Sequence, residues 1–178
     1  MTNFNLQPDL KGELLHLRKL VAEDFEALYA VASDPLIWEQ HPERERYQRE
    51  VFHNFFQVGL ESKGALVALD AQTGEIIGSS RYTGYVAEEK RVEVGYTFLA
   101  RRCWGQGYNA EMKRLMLAHA FEHVERVQFY IGEQNLRSRK AIAKIGAHCI
   151  QTLQRQPRVG GVYTAMVYEI ANPRACGR

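Results

Sequence analysis

Residues 91–124 read RVEVGYTFLARRCWGQGYNAEMKRLMLAHAFEHV, and three segments are legible in them. Arg91 to Leu99 has the period-2 pattern of a strand with two different faces. Val92, Val94, Tyr96 and Phe98 alternate there with Glu93, Gly95 and Thr97. Arg101 to Gly107 is a short basic, Gly-rich turn. An amphipathic helix follows, with Ala110, Leu117, Ala120, Phe121 and Val124 on one face and Glu111, His119 and Glu122 opposite. A Gly-rich turn feeding a helix presents unpaired backbone N–H groups, and the aligned peptide dipoles add partial positive charge. Arg101 and Arg102 add full charge, and the glycines let backbone approach a ligand with no Cβ in the way. The stretch therefore predicts an anion site, most naturally for phosphates.

The rest of the chain is consistent with one domain over residues 1–178, with 1–10 and 172–178 as frayed tails. Hydrophobic residues make up 46% and charged residues 25%, the balance of a soluble globular protein. A net charge of +2 is too small to point to nucleic acid or an anionic membrane as partner. Cys103, Cys149 and Cys176 form an odd, scattered set without zinc spacing, which favours a reducing, cytoplasmic setting. No signal peptide or membrane span is legible.

In chain order, Glu13–Val21 reads as a strand and the stretch from Ala22 to Pro35 as a helix with its stop. A loop carries Trp38 and His41, and a second helix over 43–60 has Val51, Phe52, Phe55 and Phe56 on its apolar side. Strands at 65–70 and 75–86 form a hairpin before the central strand. After the central helix come a strand at 127–131, a helix at 135–145 closed by Gly146, a strand at 147–154, a turn at 157–161 and a strand at 162–170. This order predicts an α/β (α+β) fold: a mostly antiparallel mixed sheet of about seven strands with helices on both faces.

Arg102-x-x-Gly105-x-Gly107 resembles the pyrophosphate-binding signature of the GNAT superfamily of N-acetyltransferases. Tyr96-Thr97-Phe98-Leu99, Trp104-Gly105-Gln106-Gly107-Tyr108 and Glu111 resemble the branch holding the ribosomal-protein N-terminal (RimJ/RimL-type) enzymes. The element order also matches a GNAT-like fold over nearly the whole chain. The resemblance implies an N-acetyltransferase that uses acetyl-CoA as co-substrate, needs no metal, and passes the acetyl group directly to a primary amine in a ternary complex. It implies a pyrophosphate on Arg102, Cys103, Trp104, Gly105, Gln106 and Gly107, mostly through backbone amides, with Phe98 and Leu99 facing the pantetheine arm at a strand bulge. Asn135…Ser138…Ala141…Lys144…Gly146 resembles the family's second cofactor motif, with Asn135 on the pantetheine and Ser138 near the sulphur. Asn135 is equally a good helix N-cap.

A primary amine near pKa ~10.4 is almost wholly protonated at neutral pH, so acetyl transfer benefits from a base. Glu93, unusual in the middle of a strand, is the candidate; the bland reading is a carboxylate paired with Arg91. His16, His41 and Tyr82 are further titratable groups with no anchor in the pattern. Trp38 and His41 are candidates for the wall of the amine site, with the phenylalanines read as core. A peptide N-terminus or a small amine is the expected acceptor, since no acidic cluster marks a polyamine pocket. Many relatives dimerise, so a homodimer is one assembly the resemblance allows. Two rival functions keep parts of the pattern: a non-catalytic acyl-CoA-binding protein, and an oxidoreductase reading Gly105 to Ala110 as a GxGxxG/A dinucleotide fingerprint. His119-Ala120-Phe121-Glu122-His123 matches an H-x-x-E-H zinc string, but on a face expected to be solvated.

Overall fold

Ala65 and Val67 point to one side of their strand and Leu66 and Ala68 to the other, and all four are buried, so this strand separates two cores. The computed structural model describes residues 4–156 and 161–175. Its sheet has eight strands, β1 (Leu10–Lys11), β2 (Leu15–Lys19), β3 (Ala65–Asp70), β4 (Ile76–Val86), β5 (Arg91–Leu99), β6 (Arg126–Gly132), β7 (His148–Arg155) and β8 (Tyr163–Ala171), in the order β1-β2-β3-β4-β5-β6-β8-β7. The two-residue β1 is the strand the sequence pattern misses. All neighbours are antiparallel except β5 and β6. The turn expected at 157–161 falls largely outside the described residues.

The helices are α1 (Phe25–Ala32), α2 (Arg49–Ser62), α3 (Tyr108–Ala120) and α4 (Leu136–Lys144). The first core is largely aliphatic: Leu15, Leu17, Leu66, Val92 and Val94 from the sheet meet Met112, Met116 and Ala120 of α3 and Ile142 of α4. The second is aromatic: Phe52, Phe55 and Phe56 of α2, with Leu28 of α1, pack on Trp38 and Phe98. Phe52, Phe55, Phe56 and Gly59 recur at helical spacing, which aims α2 at the sheet. Burying one such ring contributes on the order of 1.5–3 kcal/mol. The helix begins later than its sequence pattern, because Arg44–Tyr47 forms a separate 3₁₀ turn and Gln48 is extended. It ends with Lys63 in the left-handed region, while Gly64 lies so close to the Tyr82 carbonyl that a Cβ would clash at 2.1 Å.

Both flanks expected to fray are held where they are described. Phe4 is buried against Tyr82 and stacks on His123. Asn172 is buried, and its Nδ2 donates to the carbonyls of Phe121 and Val124. The polar face of α3 also differs from its wheel. Glu111 accepts N–H groups of Glu13, Leu14 and Leu15 at 2.8–3.0 Å, pinning the start of β2, and Ala110 is exposed. His119 and His123 lie partly buried under Phe4 rather than in solvent.

Candidate active site

β5 and β6 run parallel for three pairs only, Arg91↔Arg126, Val92↔Val127 and Glu93↔Gln128. Beyond them β5 follows β4 as far as Leu99, and β6 follows β8 as far as Gly132. The two strands therefore part, and each leaves an edge with unpaired backbone groups. Part of the cause is a bulge. Between Ser79 and Arg81 of β4 there is one intervening residue, while β5 carries two between Phe98 and Gly95, and Tyr96 there has φ 55°. The extra residue reverses the faces, so Val92 and Val94 lie in the aliphatic core and Phe98 in the aromatic one. The uninterrupted alternation expected along β5 stops at this point.

The turn lies where β5 ends. Cys103 and Trp104 give their N–H groups to the carbonyls of Ala100 and Arg101, and the Cys103 side chain is buried. Those two amides are thus already used. The first helical bond of α3 runs from the Glu111 N–H to the Gly107 carbonyl. The N–H groups of Gly105, Gln106, Gly107 and Tyr108 have no acceptor among the described residues. Gly105 (φ 70°) and Gly107 (φ 87°) occupy the left-handed region, and nothing lies within 4 Å of a Cβ placed on Gly105. Free amides at the head of a 13-residue helix are a fit for a pyrophosphate. The arginines contribute less than their charge suggests. Arg102 pairs with Glu75 at 2.9 Å and lies 3.6 Å from Asp70, and Arg101 pairs with Asp34.

The second motif faces this turn across the opening. Asn135 caps α4, its Oδ1 accepting the Ser138 N–H at 3.2 Å. The half-buried Ser138 hydroxyl has no hydrogen bond among the described residues. Arg137, which the sequence pattern passes over, bridges the gap. Its guanidinium lies 4.0 Å from the Trp104 ring centroid and donates to the Ile37 carbonyl, while its backbone N–H donates to Gln40 Oε1. Leu99 accepts the Trp104 indole N–H at its carbonyl, so Phe98 and Leu99 turn their side chains into the two cores.

Glu93 sits where the strands part, 7% exposed. Its pairing partner is Arg155 of β7, not Arg91: both Arg155 Nη atoms donate to its two oxygens at 2.8 Å. Arg91 binds Glu89 instead. Burial holds the Glu93 carboxyl above its usual range, with Arg155 opposing. Glu93 and Arg81 lie two residues from each other's cross-strand partners, Thr83↔Glu93 and Arg81↔Gly95, on one face of the sheet. That face carries the aromatic core. Trp38 is buried within it, its indole N–H donating to the Ala32 carbonyl at 2.7 Å, so it is core before it is wall. His41 borders a cavity of about 260 Å³ that Gly132, Tyr163 and Thr164 also line.

Tyr82 is a core residue; its hydroxyl donates to the Met116 carbonyl at 2.6 Å. His16 pairs with Asp9 at the far edge of the sheet. Sequence reasoning missed Lys113, 3% exposed, whose Nζ donates to Thr97 Oγ1 at 2.6 Å and lies 5.8 Å from the Phe129 ring. It reaches both parting strands from below, and burial lowers its pKa to about 7. The signal existed: Lys113, Met116, Leu117 and Ala120 share one helical stripe. The ligand atoms of His119, Glu122 and His123 lie within 4.8 Å of one another, away from this opening.

The comparisons agree with this geometry. The acetyltransferase (GNAT) domain family matches residues 15–148, and the chain belongs to that family. A relative in Bacillus subtilis (strain 168), the uncharacterized protein YkkB, is 32% identical over 105 residues, which span 57% of this chain and 60% of that one. Among solved structures, a GNAT-family acetyltransferase from Bacillus anthracis superposes with a TM-score of 0.75 at 21% identity, covering 93% of this chain and 99% of that one. Spermidine N-acetyltransferase from Vibrio cholerae, in complex with CoA and spermine, superposes with a TM-score of 0.70 at 15% identity, over 93% and 100%. These two likenesses establish the mixed α/β GNAT fold. One parallel strand pair among seven is not the parallel sheet a dinucleotide-binding fold needs. No helix among the described residues is long and apolar enough to cross a membrane.

Proposed function

We propose that this protein is an acetyl-CoA-dependent N-acetyltransferase acting on a primary amine, a peptide N-terminus or a small molecule, by direct attack in a ternary complex. The observation that carries this reading is the parting of β5 and β6 with a charged, buried carboxyl at its apex and four free amides at its mouth. The amides of Gly105 to Tyr108, with Arg102 at their side, hold the pyrophosphate. The end of β5 at Phe98 and Leu99, together with Asn135, borders the pantetheine arm, and Ser138 offers its unused hydroxyl near the sulphur. Acetyl-CoA supplies the activated acetyl group as a thioester. A backbone N–H at the β5 bulge stabilises the negative charge that develops on the acetyl oxygen.

Glu93 takes the proton from the acceptor ammonium. Each of its oxygens gives one lone pair to Arg155 and keeps another, so the ion pair orients the base without occupying it fully. A carboxyl raised by burial is a better base at neutral pH than an exposed one. The fit of the chain to the ribosomal-protein branch rests on Tyr96 to Leu99, Trp104 to Tyr108, and Glu111.

Thermal-shift titration with acetyl-CoA, NADPH and ATP tests cofactor choice, and release of free thiol in the presence of amines tests turnover. Stabilisation by acetyl-CoA and amine-dependent thiol release are expected. Acetyl-CoA binding with no acetylation of any amine in a broad panel would leave the acyl-CoA-binding alternative standing instead.

A further inference from the structure

Two arginines of the aromatic face lack a direct ion pair among the described residues. Arg46 is 6% exposed and Arg81 4%. Arg155, by contrast, holds Glu93 with both Nη atoms. Both guanidinium carbons lie over the same ring, Phe55, at 4.5 and 5.4 Å from its centroid, so they are neighbours. Arg81 also lies 4.3 Å from the Tyr96 ring centroid, at the β5 bulge. Stacking on rings accommodates a guanidinium but does not satisfy its N–H groups.

The unsatisfied donors can be named. Arg81 Nε is buried with no acceptor, and its Nη2 reaches the Phe55 carbonyl only at 3.5 Å. His41 Nδ1 accepts the Glu43 N–H at 2.9 Å, so in the neutral imidazole Nε2 carries the proton. That Nε2 lies 3.2 Å from Arg46 Nη1. Two donors face each other, and burial with the Arg46 charge keeps His41 from titrating near neutral pH. Burial also lowers both arginines to about 10, the mark of charge held without full compensation. Two carboxylate charges act on these arginines without closing an ion pair, Glu43 on Arg46 and Glu93 on Arg81, and both are hydrogen-bonded elsewhere: Glu93 to Arg155, and Glu43 Oε1 to the Gly161 N–H. A buried charge without a direct partner is unfavourable and persists where something else offsets it.

We propose that the acceptor amine carries an oxyanion, a carboxylate or phosphoryl group, and that Arg46, Arg81 and His41 recognise it. An oxyanion accepts from all three donors and converts the donor–donor contact into two hydrogen bonds. Arg81 shares its sheet face with Glu93, and Arg46 lies over the same Phe55 ring as Arg81, so an amine anchored by its acid group presents nitrogen toward the base. The same charge disfavours a polycation. The inference rests on the acetyltransferase reading above, and the two are tested by different signals.

The experiment uses the full chain saturated with CoA for binding and with acetyl-CoA for turnover. The probes are α-amino acids, their carboxamides, the matching aminophosphonic acids, and spermidine. Calorimetric binding decides the acid preference, and thiol release decides catalysis. An acid is expected to bind at least tenfold tighter than its carboxamide, with the carboxylate or phosphonate series showing which oxyanion fits. Arg46→Met and Arg81→Met should each raise KM for the acid at least tenfold, with kcat changing far less, and so erase the preference for the acid over its carboxamide. The acetyl-CoA thermal shift of each variant confirms that it folds, and the wild-type preference stands without the variants. Acids that bind no better than carboxamides, or spermidine binding tighter than either, overturn the inference. Thiol release from neutral amines alone overturns it while leaving the transferase reading intact. Acid-selective binding with no thiol release from any amine supports the oxyanion site and sinks the transferase reading.

Discussion

Two pairs of arginines in this molecule behave in opposite ways. Arg101 and Arg102 are adjacent in sequence, exposed, and each matched by a carboxylate, Asp34 for one and Glu75 for the other. Arg46 and Arg81 are 35 positions apart in the chain, buried, and in direct ion pair with none among the described residues. The basic cluster that stands out in the sequence is thus largely neutralised where it lies. The charge without a direct partner is on residues that give no local signal. At the first pair the binding capacity resides in the backbone, in four amides that need no side chain. At the second it resides in side-chain donors that only a partner from outside can satisfy.

The largest effect expected is at the apex where the strands part. Glu93→Gln should lower kcat by about 10²-fold or more while leaving the acetyl-CoA thermal shift unchanged. It should also remove an acid limb of the rate profile that lies above the ordinary glutamate range, as the raised carboxyl requires. A variant with normal kcat would move the base elsewhere. Next comes the backbone site. Acetyl-CoA at 100 times its Kd should stabilise wild type by about 2.7 kcal/mol, and Gly105→Glu, which places a carboxylate among the free amides, should lose most of that. Retention of the full shift would take the pyrophosphate away from this turn.

Lys113 gives a smaller, pH-dependent effect that sharpens the contrast between paired and unpaired charge. Its folded pKa of about 7 lies below the unfolded value of about 10.4. Between those values the unfolded chain binds a proton that the folded chain does not, so stability rises with pH across that window. The slope from this group reaches at most about 1.4 kcal/mol per pH unit. Chemical denaturation at a series of pH values should show it in wild type and not in Lys113→Met. The smallest effect is expected at Arg102. It is half exposed and already paired, so Arg102→Ala should weaken acetyl-CoA binding only a few-fold, and Glu75→Gln should strengthen it slightly by freeing the guanidinium. A loss of 100-fold at Arg102 would mean that the side chain, not the backbone, dominates the anion site.

The strands of the hairpin and of the centre were legible because alternation and turn residues are local: Ala65–Asp70 and Arg91–Leu99 coincide with the sequence reading, and Gly146 closes α4 in the left-handed region as its position suggested. The wheel of α3 misled at Glu111, because a carboxylate facing outward from a helix can still meet backbone from another strand. The alternation of β5 misled at Phe98, because one residue of bulge exchanges the faces of a strand and leaves no mark in the composition.

What the sequence determined by itself is short-range: the order of elements, the glycine turn at the head of α3, the cap at Asn135, and through them the family. Each depends on residues within a few positions of one another, where backbone geometry and side-chain spacing decide the outcome. The tertiary structure decided which charges have partners. Arg155 reaches Glu93 across 62 positions, Arg46 and Arg81 meet on Phe55, and Lys113 rises beneath the parted strands only once the sheet is assembled. Compensation of a buried charge depends on distance in space and on the donors and acceptors that surround it, and neither quantity is written along the chain.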